Sequence, residues 1–316
     1  MERFEPGWYY RLSQFFREKF GHPLYKIPLE AGFSCPNRDG TIGRHGCSYC
    51  YNPSFSFVSG KEKPLSITEQ LRRGKKKGAP GRRYLAYFQT YSNTYAPVEQ
   101  LERLYSEALQ DPDVVGLSIS TRPDCVNRQV LELLEGYARK YHVWLEYGLQ
   151  SSHNTTLERI NRGHTFQQFQ EAVRMTRGRH IYICAHLILG LPGESPEMML
   201  QTVDRINGCG IDGVKFHQLQ VIKGTPLAQQ YEEGQFDVFA SPEEYLSLLC
   251  DCLERLDPGI TVHRLAGRVT SRELLLAPAW EESSAETARK VEAELIRRSS
   301  WQGRLARKRN RKNFSE

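Results

Sequence analysis

The sequence predicts an α/β fold: a partial (β/α)6 barrel of the TIM type with a C-terminal helical extension. Six segments rich in β-branched and aromatic residues have the composition of strands, and their starts lie roughly 30 residues apart, the period of a βα unit. Helical patterns lie between these segments. Several strands are nearly continuous apolar runs, which is typical of parallel strands covered by helices.

Strands and helices alternate along the chain in the order that a barrel requires. We expect strands at 25–33, 84–90, 114–120, 143–150, 181–190 and 213–222. Helices are expected to begin near Ser66 and after Ala96 and Cys125, and to span 165–178 and 195–208. Right-handed crossovers between successive strands give a parallel sheet. A doubly wound sheet is the alternative, but no G-x-G-x-x-G stretch follows the first strand.

The chain divides into four predicted segments. Residues 1–24 form an N-terminal extension, and residues 25–240 form the core barrel. Residues 241–302 form a C-terminal extension packed on the barrel, in which two helical patterns flank a candidate seventh strand, ITVHRLAG (260–267). Residues 303–316 form a basic tail that we expect to be disordered.

Composition and charge narrow the function classes. The chain has 316 residues, 39% of them hydrophobic, and no apolar run of the ~18 residues that a transmembrane helix needs. The N-terminus lacks the apolar segment of a signal peptide, so we expect a cytoplasmic, reducing compartment and no membrane partner. Two runs without acids, 72–83 and 297–312, hold seven and eight basic residues. They are either solvated surface segments or contacts to RNA phosphates, and Trp301 offers a stacking surface for a base.

Three of the eight cysteines are close together in the sequence. They follow the first predicted strand within sixteen positions, as Cys35, Cys47 and Cys50, whereas the other five are scattered as expected for buried small hydrophobes. Thiolate-rich sites favour zinc, Cu(I) or iron–sulfur clusters. Three thiols are one too few for a closed zinc site unless His45 supplies the fourth ligand. A [4Fe–4S] cluster held by three thiolates instead leaves one iron open, and this iron can chelate S-adenosylmethionine (SAM).

Other polar residues are expected on the same face as the cysteines. Chemistry in a barrel of this type lies at the C-terminal ends of the strands. This rule brings the cysteines together with Gln89 and Thr90, residues 118–124, Gln150 and residues 190–194. The convergence indicates an active site.

With these residues, the sequence resembles the radical SAM superfamily. The common cysteine spacing there is C-x-x-x-C-x-x-C, whereas the first gap here has eleven residues, and Tyr49 fits the aromatic position before the last cysteine. A subgroup with long first gaps includes the Elongator catalytic subunit. Three stretches resemble that subunit: STRPDC (120–125), EYGLQSSHNTTLERINRGHT (146–165) and HLILGLPGES (186–195). From about residue 20 to residue 300, the chain is similar to the YhcC/YtqA-type family of bacterial radical SAM proteins.

The resemblance implies roles for individual residues. The cluster ligands would be Cys35, Cys47 and Cys50. Gln150 and Arg162 would contact SAM, with Arg162 suited to pair the methionyl carboxylate unless it forms an ordinary surface ion pair. The other implied cofactor-binding positions are Tyr49 and Gly190 near the adenine, Gln89 and Thr90 near the methionyl amino group, Ser120 with Glu146 at the ribose, and His186. The chain lacks the usual Gly-Gly-Glu stretch at Gln89, and His186 is equally interpreted as a satisfied core histidine.

The resemblance also implies an activity. An enzyme of this kind cleaves SAM to a 5′-deoxyadenosyl radical, with an electron from a flavodoxin- or ferredoxin-type donor. Relatives in the Elongator subgroup act on wobble uridine, so the implied partner is tRNA. The implied reaction converts carboxymethylaminomethyl-uridine to aminomethyl-uridine. Two alternatives stay open: the same radical chemistry on a small-molecule or peptide substrate, and a non-enzymatic metal-containing nucleic-acid-binding protein.

Overall fold

Seven parallel strands form one curled sheet, a half-barrel. The computed structural model describes residues 7–54, 65–76, 81–280 and 282–306. The sheet consists, in spatial order, of β1 (Leu24–Leu29), β2 (Arg83–Phe88), β3 (Val114–Thr121), β4 (His142–Gln150), β5 (Tyr182–Leu189), β6 (Gly213–Gln218) and β8 (Thr261–Arg264). Two short strands pair antiparallel with each other, β7 (Val221–Ile222) and β9 (Leu275–Ala277).

Helices cover the outside of the sheet. They are α1 (Leu12–Phe20), α2 (Ile67–Lys75), α3 (Val98–Leu109), α4 (Arg128–Ala138), α5 (Asn154–Arg159), α6 (Phe166–Thr176), α7 (Pro196–Asn207), α8 (Pro226–Glu232), α9 (Pro242–Arg255) and α10 (Ser284–Arg297). The side chains of Asn127, Thr165 and Ser195 accept hydrogen bonds from the first turns of α4, α6 and α7, which fixes where these helices begin. Within the described ranges, no helix is long and apolar enough to cross a membrane.

The strand order confirms the predicted fold class. Each strand of the main sheet pairs in parallel with the next one along the chain, without the reversal that a doubly wound sheet requires. The candidate seventh strand is confirmed as β8, which pairs with β6 through Gly213 and Thr261. The sheet therefore has one strand more than the predicted six.

The inside of the half-barrel is filled in layers. Side chains at alternate positions of a strand point to the same face. The lower layer is apolar and packs against Phe16 of α1, which closes the N-terminal end of the barrel; its members are Leu24, Leu85, Trp144 and Cys184. Two residues further along each strand, the next layer is polar, with Lys26, Tyr87, Glu146 and His186. The polar layer is the floor of the site described below.

Most of the described basic residues of the two runs form ion pairs on the protein surface. Arg72 binds Glu69 at 2.6 Å, and Arg298 binds Glu294 at 2.7 Å. Although the runs contain no acidic residues, glutamates lie beside their arginines in the folded chain. Because these carboxylates already pair the arginines, the interpretation of the runs as RNA contacts is weakened. Residues 77–80 of the first run lie outside the described residues. Trp301 is 53% exposed, so the prediction that it stacks on a base stays a prediction.

The predicted tail begins in an ordered segment. The Gly303 N–H donates to the Leu253 carbonyl at 3.0 Å, and the Leu305 N–H donates to the Glu254 carbonyl at 2.7 Å. These bonds hold residues 303–306 against the end of α9. The rest of the tail, residues 307–316, lies outside the described ranges.

Candidate active site

The C-terminal ends of the strands surround a cavity, and the loop after β1 forms part of its wall. The cavity is lined by all three clustered cysteines, Cys35, Cys47 and Cys50. The segment between Cys35 and Cys47 folds back on itself, because the Asn37 carbonyl accepts a hydrogen bond from the Gly46 N–H at 2.7 Å. Gly46 has a φ of 74°, and a Cβ there would lie 2.8 Å from Arg38 Nε, so the turn requires glycine. This return brings the distant Cys35 to the Cys47–Cys50 pair.

A second loop, between α5 and α6, holds the cysteine loop in place. Asn37 Nδ2 donates to the Asn161 carbonyl at 2.6 Å, and Asn161 Nδ2 donates to the Gly46 carbonyl at 2.6 Å. The Ser48 N–H donates to the Ile160 carbonyl at 2.9 Å. Arg162 directly follows Ile160 and Asn161, so the same hydrogen bonds position its guanidinium beside the thiols.

The thiols lie in a cationic environment. Arg162 Nη1 donates to Cys47 Sγ at 3.4 Å, and Arg162 Nε donates to the Gly148 carbonyl at 3.2 Å. Burial alone raises the pKa of a thiol, but Arg162 and Arg122 outweigh it and hold the pKa of Cys47 below its ordinary value. Arg162 is buried, so the alternative of a surface ion pair is wrong. Burial and the neighbouring Cys47 raise the pKa of the Cys50 thiol to about 11.

The donor set fits a [4Fe–4S] cluster better than a zinc ion. A closed zinc site needs four ligands, and the clustered cysteines supply three. His45, the residue that would complete a zinc site, is exposed and does not line the cavity. Cys35, Cys47 and Cys50 all line the cavity, and thiolates are the ligands that would hold an iron–sulfur cluster there. The buried Arg162 also offsets the negative charge of bound thiolates.

Gln150 has an unusual backbone conformation at the end of β4. Its φ is 77°, in the left-handed region, and the β4–β5 register shifts between Gly148 and Gln150. A residue other than glycine is strained in this region, and such strain is concentrated at functional sites. The distortion turns Gln150 into the cavity, which it lines.

The backbone strain at Gln150 can be measured with a pair of variants. We expect Gln150→Gly to be more stable than Gln150→Ala by about 1 kcal/mol, because only glycine adopts a positive φ without strain. The free energy of unfolding of the cluster-free protein, from denaturant titration, tests this. The exposed Arg103 of α3 provides a control. There Arg103→Gly should be less stable than Arg103→Ala, since glycine destabilises a helix. Equal stabilities at position 150 would mean that the site holds no strain.

Most of the other predicted cofactor-binding residues also line the cavity. They are Tyr49, Gln89, Ser120, Arg162 and His186. Thr90 and Gly190 are not among the lining residues. The Thr90 carbonyl accepts a hydrogen bond from Asn93 at 2.8 Å. At Gly190 the φ is 86° and a Cβ would lie 2.7 Å from Phe239 Cε2, so packing explains this glycine. Cofactor contacts at all of these positions stay predictions.

The polar layer under the cavity is a network centred on Glu146, whose side chain has no exposed area. Lys26 Nζ lies 2.5 Å from Glu146 Oε1, and Lys215 Nζ contacts Oε2. Burial raises the pKa of a carboxyl, but the two ammonium groups outweigh it, so the pKa of Glu146 lies well below its ordinary value. Glu146 is therefore ionised and serves as the counter-ion of two buried lysines.

His186 joins the network as a neutral ring. Its Nε2 lies 2.9 Å from Glu146 Oε2. Burial and the nearby Lys215 lower the pKa of His186 to about 4, so at neutral pH the ring carries one proton, which the geometry assigns to Nε2. His186 is thus both a hydrogen-bonded core residue and a residue of the cavity wall.

Sequence reasoning missed three members of this network: Lys26, Tyr87 and Lys215. Lys215 Nζ lies 2.9 Å from the Tyr87 hydroxyl. Both lysines are preceded and followed by residues of apolar strand patterns, in YKI and VKF. A lysine inside a strand that helices cover must point into the barrel and have a buried partner there. That signal could have identified them.

The chain matches family models over most of its length. The model of the Radical SAM superfamily matches residues 39–206, and that of the Radical_SAM C-terminal domain matches residues 211–297. YtqA of Bacillus subtilis is 38% identical over 300 residues, which cover 94% of this chain and 92% of YtqA. YhcC of Escherichia coli is 42% identical over 266 residues, which cover 84% of this chain and 85% of YhcC.

One curated sequence and one solved structure from the archaeon Methanocaldococcus infernus are similar in part. The tRNA uridine(34) acetyltransferase is 30% identical over 133 residues, 41% of this chain and 24% of that protein. The structure of Elp3 without residues 1–46 has a TM-score of 0.68 at 16% identity, over 88% of this chain and 64% of that one, and so shows the same fold. The chain belongs to the radical SAM superfamily, whose members are enzymes that use a [4Fe–4S] cluster and SAM, and within it to the family of YtqA and YhcC.

Proposed function

We propose that this radical SAM enzyme acts on the wobble uridine of tRNA and converts its carboxymethylaminomethyl side chain to aminomethyl. The observation that carries the radical chemistry is the cavity in which three thiols, Gln150 and Arg162 meet. The tRNA substrate is supported by the similarity to tRNA uridine(34) acetyltransferase over 133 residues. That similarity covers only part of the chain, so the reaction itself is our proposal.

In this proposal the residues of the cavity divide into two tasks. Cys35, Cys47 and Cys50 hold the cluster, while Arg162 pairs the methionyl carboxylate and Gln150 orients SAM. When bound, the cluster and SAM would supply a 5′-deoxyadenosyl radical as the agent that removes hydrogen from the substrate. Tyr49 lines the cavity and packs against an apolar cluster, and in this proposal its ring flanks the adenine.

The nucleosides of tRNA from strains with and without the gene test the proposed substrate. Mass spectrometry should show carboxymethylaminomethyl-uridine accumulating in the deletion strain, with a matching loss of aminomethyl-uridine and of nucleosides made from it. The wild-type gene should restore the pattern, and a gene encoding Cys47→Ala should not. Unchanged wobble uridines in the deletion strain would remove tRNA as the substrate, and a small-molecule or peptide substrate would then be the better hypothesis.

A further inference from the structure

One arginine of the cavity, Arg264, has a side chain without a hydrogen-bond or ion-pair partner in the described parts of the chain. Arg264 is the last residue of β8, is exposed, and is among the residues that line the cavity. Among the described residues, none forms a hydrogen bond or an ion pair with its guanidinium. Other arginines of this cavity are engaged: Arg122 binds Asp124 at 2.8 Å, and Arg162 binds the Gly148 carbonyl and Cys47. The positive charge of Arg264, at the cavity wall formed by β6 and β8, is therefore available to bind a ligand.

Unpaired polar groups lie in the same part of the cavity. Gln220 follows β6 and is only 9% exposed, yet its Nε2 is buried without a hydrogen-bond partner in the described chain. His217 lies on β6, and the centroid of its ring is 5.7 Å from that of His186. Within the described residues the His217 ring makes no hydrogen bond. A buried amide donor without a partner is unfavourable by itself. A ligand with acceptor oxygens would satisfy it.

The charge balance of this wall favours an anion. Glu146 is the single carboxylate among the described residues that line the cavity, and Lys26 and Lys215 already neutralise it. Burial lowers the pKa of His217 well below its ordinary value, and Arg264 adds to this effect, so the ring is neutral beside an uncompensated guanidinium. The wall offers positive charge and N–H donors and has no free carboxylate to repel an anion.

We infer that Arg264, Gln220 and His217 form a subsite for the carboxylate of the substrate side chain. The inference rests on the proposed function, because carboxymethylaminomethyl-uridine carries a carboxylate that aminomethyl-uridine lacks. A guanidinium binds a carboxylate through two parallel hydrogen bonds, and the Gln220 amide supplies a third donor. This subsite is separate from Arg162, which faces the thiols. It distinguishes the substrate from the product, and the loss of the carboxylate releases the product.

A binding experiment without turnover tests the subsite. Two anticodon stem-loop RNAs differ only in the wobble uridine, which carries either the carboxymethylaminomethyl or the aminomethyl side chain. The anaerobic, cluster-loaded protein is titrated with each RNA in the presence of SAM and without reductant. We expect the wild type to bind the carboxylate-bearing RNA about 10- to 100-fold more tightly. Arg264→Gln should abolish this preference and leave the affinity for the aminomethyl RNA unchanged.

Matched variants give the experiment its controls. Arg264→Lys should keep part of the preference, since an ammonium retains the charge but not the paired hydrogen bonds. Arg103→Gln removes an exposed arginine of α3 and should change neither affinity. An equal loss on both RNAs in Arg264→Gln would assign the arginine to a phosphate and overturn the inference, as would a preference that survives the substitution. If the wild type binds neither RNA, the proposed tRNA function is what fails.

Discussion

Cys47→Ala is expected to abolish both the cluster and the formation of 5′-deoxyadenosine. Cys47 is the most buried of the three clustered cysteines, and Arg162 and Asn37 both hydrogen-bond to its sulfur. Two remaining thiols cannot hold a cluster that needs three. Iron content, the electron paramagnetic resonance signal of the reduced protein, and product formation should all disappear together.

The controls for this prediction separate loss of the cluster from loss of the fold. Cys209→Ala removes a thiol outside the cavity and should keep full iron content and activity. The thermal midpoint of cluster-free Cys47→Ala should stay near that of the cluster-free wild type, because the substitution removes a single side-chain atom at the wall of an existing cavity. Cys47→Ala protein that reconstitutes with the iron content of the wild type would show that Cys47 is not a ligand.

Local patterns in the sequence were sufficient to predict the framework. The fold class follows from strand and helix periods that repeat along the chain, and the residues between Cys35 and Cys47 are close enough in sequence to imply a returning loop. Glycine at position 46 is needed for a positive φ, which is a local property. The cavity collects Gln89 and Gln150 because parallel strands end at the same face.

Contacts between distant strands could not be predicted in the same way. Lys26 and Glu146 are 120 residues apart, and Lys215 and Glu146 are 69 apart. Their pairing depends on the strand register, which a single sequence does not reveal. The same reason applies to Gly190, where the resemblance implies a cofactor contact and the structure places Phe239 against it. The contacts of these residues depend on tertiary packing rather than on local sequence.

Glu146→Gln is expected to destabilise the protein by about 3–5 kcal/mol, because it leaves two lysines in the barrel without their counter-ion. The side chains of Lys26 and Lys215 are only 17% and 4% exposed, so water cannot replace the carboxylate. Denaturant unfolding of the cluster-free protein measures the loss. Glu69→Gln is the matched control: it removes the partner of Arg72 on the surface and should shift the midpoint little.

A second substitution and the pH dependence test the cause of this destabilisation. Adding Lys215→Met to Glu146→Gln should recover part of the lost stability, because it removes one of the two unpaired buried cations. Since the folded-state pKa of Glu146 lies well below the ordinary 4.5, its contribution is complete above that value and is lost as the pH falls through the lower one. The difference between wild type and Glu146→Gln should therefore narrow in acid. A difference that is independent of pH, with no recovery in the double variant, would mean that Glu146 acts through packing rather than through its charge.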